Sequence, residues 1–151
     1  MAEYIQSPGT AQNVPFGQNL LLIDSIPCPK GYVVHRNGSG ILTLRGITPN
    51  CFARYKVTFN GNIAIPTDGT VAAIATALAI DGEPLQSSRA IVTPAAVEQY
   101  FNVTNTAIIT VPKGCCYTVA VENVNAGVDG NIVDEQTISI ADGNLVVSRI
   151  A

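Results

Sequence analysis

Tyr55-Lys-Val57-Thr-Phe59-Asn-Gly61-Asn-Ile63-Ala-Ile65 is the stretch on which the fold turns. Tyr55, Val57, Phe59, Ile63 and Ile65 fall on one side of a period-two pattern, and Lys56, Thr58, Asn60, Asn62 and Ala64 fall on the other. Successive side chains of a strand leave opposite faces, so this alternation predicts a half-buried strand, with Gly61 marking a bulge. The pattern returns at Tyr117, Val119 and Val121, whose alternates are Cys116, Thr118, Ala120 and Glu122, after the turn-forming run Val111-Pro-Lys-Gly114. It returns again at Ile138, Ile140, Leu145 and Val147, where Asp142-Gly143 reads either as a tight hairpin turn or as a bulge within one long final strand.

Outward from these anchors lie shorter compatible segments: 19–26, 32–36, 41–44, 90–93, 100–104 and 107–111. Pro27, Pro29-Lys-Gly31, Asn37-Gly38, Thr48-Pro-Asn50, Asp68-Gly69, Asp81-Gly82 and Pro94 punctuate them at the spacing of an antiparallel sandwich or barrel of about eight to ten strands. Residues 71–80 are rich in alanine, a good helix former, yet Ile74, Thr76, Leu78 and Ile80 alternate strictly with Ala73, Ala75, Ala77 and Ala79. They read as a strand with one large and one tiny face, followed by an Asp81-Gly82 hairpin turn. A tiny face lets another sheet or subunit approach closely. The single helical turn is expected at Pro94 to Gln99, capped by Thr93. The fold class is therefore all-β, an antiparallel β-sandwich with little or no helix. Residues 1–18, where Ser7-Pro-Gly9 and the lone Tyr4 and Ile5 give no strand pattern, are expected to be an N-terminal arm, and 19–151 the domain.

Composition narrows the function. The 151 residues are 47% hydrophobic and only 13% charged, so Asn, Thr, Ser, Gln and Gly must build much of the surface, as happens where subunits pack tightly. A net charge of -3 and the absence of any Lys/Arg run argue against a nucleic-acid partner. The longest apolar run, 71–80, is too short to span a membrane. The N-terminus has neither a basic start nor an apolar h-region, so no secretory signal is expected, and the sequons at Asn37 and Asn102 read as turn and strand residues.

The residues that carry chemistry are sparse. The single His35 ends a short strand without a nucleophile elbow anywhere in the chain, and reads as a surface or interface histidine. Cys28, Cys51, Cys115 and Cys116 contain no Cys-x-x-Cys pair, and adjacent strand residues point to opposite faces. They read as small buried hydrophobes with free thiols, with a Cys28–Cys51 disulfide as the alternative. Asp129, Asp134 and Glu135 lack the spacing of a calcium loop, and Asn37-Gly-Ser-Gly40 lies between strands rather than before a helix. No catalytic, cofactor-binding or metal-binding residue is expected, and no enzyme activity.

Phe52-Ala-Arg-Tyr55-Lys-Val57-Thr-Phe59, Val111-Pro-Lys-Gly114 with Tyr117-Thr-Val119-Ala-Val121, and Ile140-Ala-Asp-Gly143-Asn-Leu145-Val146 together resemble the aromatic-rich strand, later turn and terminal strand of the C1q and tumour-necrosis-factor-like jelly rolls. The resemblance runs over roughly residues 15–151 and departs from the family at Cys115, where an acidic residue is usual, and at Ile140, where an aromatic is frequent. It implies a jelly roll that assembles as a homotrimer, with Tyr55, Phe59 and Tyr117 meeting their copies at the threefold axis. The run from Asn13-Val-Pro-Phe16-Gly through Gly31-Tyr-Val-Val-His35 and Arg45-Gly-Ile to Gly114-Cys-Cys-Tyr117 is similar to short capsid decoration or head-fibre proteins of phages that infect spore-forming gut bacteria. That likeness implies a virion structural protein, assembled in the bacterial host cytoplasm, whose partners are itself and the major capsid protein. The arm, through Tyr4, Ile5 and Phe16, would then anchor the trimer to the capsid.

Two other function classes stand beside this one. A receptor- or carbohydrate-binding trimeric module of a phage or spore surface would use the loop from Asn123 to Gln136. An enzyme of the cupin kind needs clustered histidines, which one histidine cannot supply.

Overall fold

The computed structural model describes residues 2–7, 11–26, 31–127 and 135–151. Within them the chain forms β1 (Ala2–Ser7), β2 (Gln12–Val14), β3 (Asp24–Ile26), β4 (Val33–His35), β5 (Leu42–Arg45), β6 (Phe52–Ala64), β7 (Ile74–Ile80), β8 (Glu83–Pro84), β9 (Ala90–Val92), β10 (Phe101–Pro112), β11 (Cys116–Val124) and β12 (Ile138–Arg149). The first sheet runs β10-β6-β12-β1-β3 with β2 also on β12, and the second runs β4-β5-β11-β7-β8 with β9 also on β7. Every pairing is antiparallel. The expected all-β sandwich is what the chain builds.

The long alternation sets the layer. Along β6, Ala53, Tyr55, Val57, Phe59, Gly61 and Ile63 are buried, while Phe52, Arg54, Lys56 and Asn60 are exposed. The buried set meets Leu42, Leu44, Leu78, Val119 and Val121 of the second sheet in one core. Phe59 sits beneath two glycines. A Cβ on Gly61 would come within 2.7 Å of its ring, and one on Gly143 within 2.9 Å. Gly61 is thus kept small by the ring rather than by a bulge of its own. The extra residue lies opposite, on β12, where the pairing steps from Ala141↔Asn62 to Asn144↔Asn60 and Asp142 takes φ 52°. Asp142-Gly143 is therefore the bulge of one long strand, not a hairpin turn.

Residues 74–80 form a strand, as their alternation requires, and Asp81-Gly82 (φ 51° and 85°) closes the two-residue hairpin to β8. Ile74 and Leu78 join the main core, whereas Ala75 and Ala77 pack on the other side with Val124 and Ala126. The close approach allowed by the tiny face is used by this chain's own segment after β11. Arg89 holds that segment by donating from Nη1 to the carbonyls of Asn125 (3.0 Å) and Gly127 (2.9 Å).

Two expectations are corrected. The expected arm, residues 1–18, contains two strands of the first sheet: β1 pairs with β12 from Ala2↔Ser148 to Ser7↔Gly143, and β2 pairs with it from Gln12↔Ile140 to Val14↔Ile138. The division into 1–18 and 19–151 does not hold, because the backbone of β12 needs partners along its whole length whatever side chains supply them. The bulge at 142–143 marks the change from one partner to the other. Residues 94–99 form no helix. Glu98 takes φ 57° and donates its N–H to Ile65 O (2.7 Å), while the single 3-10 turn among the described residues falls at Gln86–Ser88.

Candidate functional site

Two of the three aromatics expected at a threefold contact have no exposed surface in the single chain: Tyr55 and Phe59 are both 0% exposed, and Tyr117 is partly buried against the same core. A ring enclosed by its own two sheets cannot meet a second copy, so the aromatic face is the sandwich interior and the assignment of Tyr55 and Phe59 to an interface is corrected. The Tyr55 hydroxyl donates to Arg45 O (2.5 Å), with Tyr32 O at 3.3 Å. Burial pushes this phenol up, against the opposing pull of the Arg149 guanidinium, so it stays neutral. That guanidinium stacks over Tyr32 at 4.1 Å and lies 5.9 Å from the Tyr55 ring.

The surface available for contact on the first sheet is the opposite face of the same strands. Register aligns its side chains in rows: Asn102, Asn62 and Ala141; Thr104, Asn60 and Asn144; Thr106, Thr58 and Val146; Ile108, Lys56 and Ser148. The first three rows carry no charge and satisfy part of their own hydrogen bonding. Asn102 Nδ2 donates to Asn60 Oδ1 (2.8 Å) and Asn62 Oδ1 (3.3 Å), and the Thr58 and Thr106 hydroxyls lie 3.0 Å apart. At the other end of the face stand Ile108, 63% exposed, Ile150 at 50% and Phe52 at 43%, beside Lys56 and Arg54. The sheet's edge by β10 adds exposed Tyr100 and Phe101.

The remaining candidates divide clearly. Cys51, Cys115 and Cys116 are free, as expected, but exposed rather than buried, because they stand in turns and at the outward start of β11. Cys28 lies outside the described residues, and so do Asp129 and Asp134. Among the described residues no group of three or more His, Cys, Asp or Glu could hold a metal. His35 is partly buried, its Nε2 3.0 Å from Ser39 O and its Nδ1 enclosed without a partner. Asn123, expected in a ligand-contacting loop, is instead buried in β11 and donates from Nδ2 to Val14 O (2.9 Å) and Gln136 O (2.8 Å). Gln136 in turn holds Thr70 through both backbone groups. Phe16 is partly buried.

Comparison of the sequence with protein-family models and with curated proteins gives no match. Solved structures do match. The globular domain of zebrafish complement 1qA is similar with a TM-score of 0.59 at 13% identity, covering 99% of this chain and 97% of that one. Eiger TNF from S. frugiperda is similar with a TM-score of 0.65 at 10% identity, covering 100% of this chain and 92% of that one. At such identities the likeness is one of fold, over the whole length of the chain.

Proposed function

We propose that this chain, a jelly roll of the C1q/TNF type, is a non-enzymatic structural or display unit that closes into a homotrimer through the outward face of β10, β6 and β12. The observation that carries the reading is the composition of that face. Its central rows are uncharged amides and hydroxyls that bond one another, so a second copy can cover them without stripping water from an unpaired charge. Ile108, Phe52 and Ile150 supply apolar area at one end, and the apolar edge at Tyr100 and Phe101 offers a different surface to meet it. Contact between two unlike patches is heterologous, and a rotation that closes such contacts gives a ring. Light scattering tests this: the expected mass is three times the 15.8 kDa chain. Ile108→Asp should yield a folded monomer, and a wild-type monomer overturns the proposal. Tyr117→Asp is a folding test instead, since Tyr117 packs on the protomer core.

The finer part of the reading places the trimer on a phage particle, as capsid decoration or head fibre, with the major capsid protein as partner. Its support is the likeness carried by the run from Asn13 to Tyr117. Mass spectrometry of purified virions is the check, with the chain expected at stoichiometric copy number and its absence sinking the placement. The receptor- or carbohydrate-binding alternative loses Asn123 as a contact residue, since that amide is spent inside the fold.

A further inference from the structure

On the outward face of the second sheet, one edge of β11 is shared by two partners. Cys116 to Val119 pair with β5, and beyond them the segment 17–20 takes over, through Leu20 N to Val121 O (2.8 Å), Gly17 N to Asn123 O (2.9 Å) and Asn123 N to Gln18 O (3.1 Å). The two come close at Gly40, where a Cβ would lie 2.9 Å from Leu20 O. Outward side chains near the change-over are small: Ala120 lies opposite Ala79 in the β11–β7 pairing. The result is a cavity of about 170 Å³ with Ala79 and Ala120 beneath, Ile41, Asn19 and Thr118 around it, and Glu122 at one end.

No Lys or Arg lines this cavity, and the Glu122 carboxyl has no hydrogen bond or ion pair among the described residues. Burial pushes its pKa up, and the nearby Glu83 charge adds to the push. A half-buried carboxylate with that neighbour calls for a cation, and the rest of the cavity says which kind. A bare metal ion needs several oxygen ligands, which are not gathered here. A guanidinium would match the Glu122 carboxylate in a bidentate pair, but it and its stem together are longer and bulkier than the cavity admits. Alanine methyls and Ile41 suit an aliphatic stem, and the volume holds about six non-hydrogen atoms at the ~30 Å³ a water occupies in the liquid.

We propose that this cavity binds a primary alkylammonium group of the length of a lysine side chain, its stem on Ala79, Ala120 and Ile41 and its charge against Glu122. The ammonium comes either from a free amine or from a lysine on another protein. Because the cavity opens on the second sheet, it does not depend on self-association through the first.

The test is a titration of the ¹⁵N-labelled chain at neutral pH with n-butylamine and with Nα-acetyl-lysine amide, using n-butanol and the Nε-acetylated lysine as uncharged controls. Saturable shifts of the Ala79, Gly82, Thr118 and Ala120 amides are expected with the amines and not with the controls. Shifts with butylamine alone assign the site to free amines, and shifts with the lysine derivative alone assign it to a protein-borne lysine. Glu122→Gln should weaken binding at least tenfold while leaving the rest of the spectrum in place. Ala79→Leu, which fills the cavity and keeps both carboxylates, should abolish it. No saturable shift with either amine at tens of millimolar, equal shifts with the controls, or undiminished binding by Glu122→Gln overturns the proposal.

Discussion

The two sheets treat their outward faces in opposite ways. On the second, Ala75 and Ala77 are covered by the chain's own residues after β11, and Ala120 is overlooked by the 17–20 segment. On the first, Thr58, Asn60, Asn102, Thr104 and Thr106 stand in rows with no segment of the described chain across them, and Ile108 projects at their end. Small side chains invite the protomer to cover itself. A face of amides and hydroxyls, stable in water and with uncharged central rows, stays uncovered by the described chain, and the proposed trimer would use it.

The comparison can be broken most severely at the point that completes the first sheet. A chain beginning at Gln18 lacks β1 and β2 and leaves one edge of β12 unpaired, so it should lose its cooperative thermal transition altogether; retention of that transition returns residues 1–18 to the status of an arm. The next test separates the faces directly. Ala77→Leu forces extra methylenes into the cluster of Ala75, Val124 and Ala126 and should cost about 1–3 kcal/mol in urea unfolding. Thr104→Leu on the first sheet's open face should change protomer stability by no more than about 0.5 kcal/mol, measured in the Ile108→Asp background where self-association is removed. Equal costs at the two positions would show that both faces are covered.

The smallest effect is one of pH. Glu122 has its pKa raised in the folded chain, so its neutral form is favoured there, and the stability it contributes is fully present below the ordinary carboxylate range and lost as pH rises through the raised value. Glu122→Gln should therefore match the wild type in acid and become the more stable of the two toward neutrality. A difference independent of pH would remove burial of this carboxyl from the account.

What could be read from the sequence follows from where the information resides. β6, β7 and β11 were legible because each buries a face of its own, and alternation records that directly. β1 was not, because its place is set by pairing to β12, which leaves no mark on the local pattern. The open face of the first sheet is present in the same alternation, as the polar half of each strand, whereas the family likeness points to the aromatic half for contact. β10 read as two pieces, 100–104 and 107–111, because Asn105 interrupts its inward side; the structure keeps one strand through Phe101–Pro112 by satisfying that amide inside.

Asn105 carries a consequence of its own. Its Nδ2 donates to Thr76 O (2.9 Å) and Ser88 O (2.6 Å), and its Oδ1 accepts from the Thr76 hydroxyl (3.2 Å), so it ties an edge strand of one sheet to the hairpin region of the other. Hydrophobic alternation alone repeats with every pleat, and β10 could slide along β6 by one repeat while keeping apolar residues inward. Only one alignment brings this amide to these carbonyls. Every slipped arrangement leaves a buried donor and its acceptors unpaired, a penalty of roughly 1–3 kcal/mol for each stranded group. The residue that most obscures the strand in the sequence is thus the one that selects a single register for it.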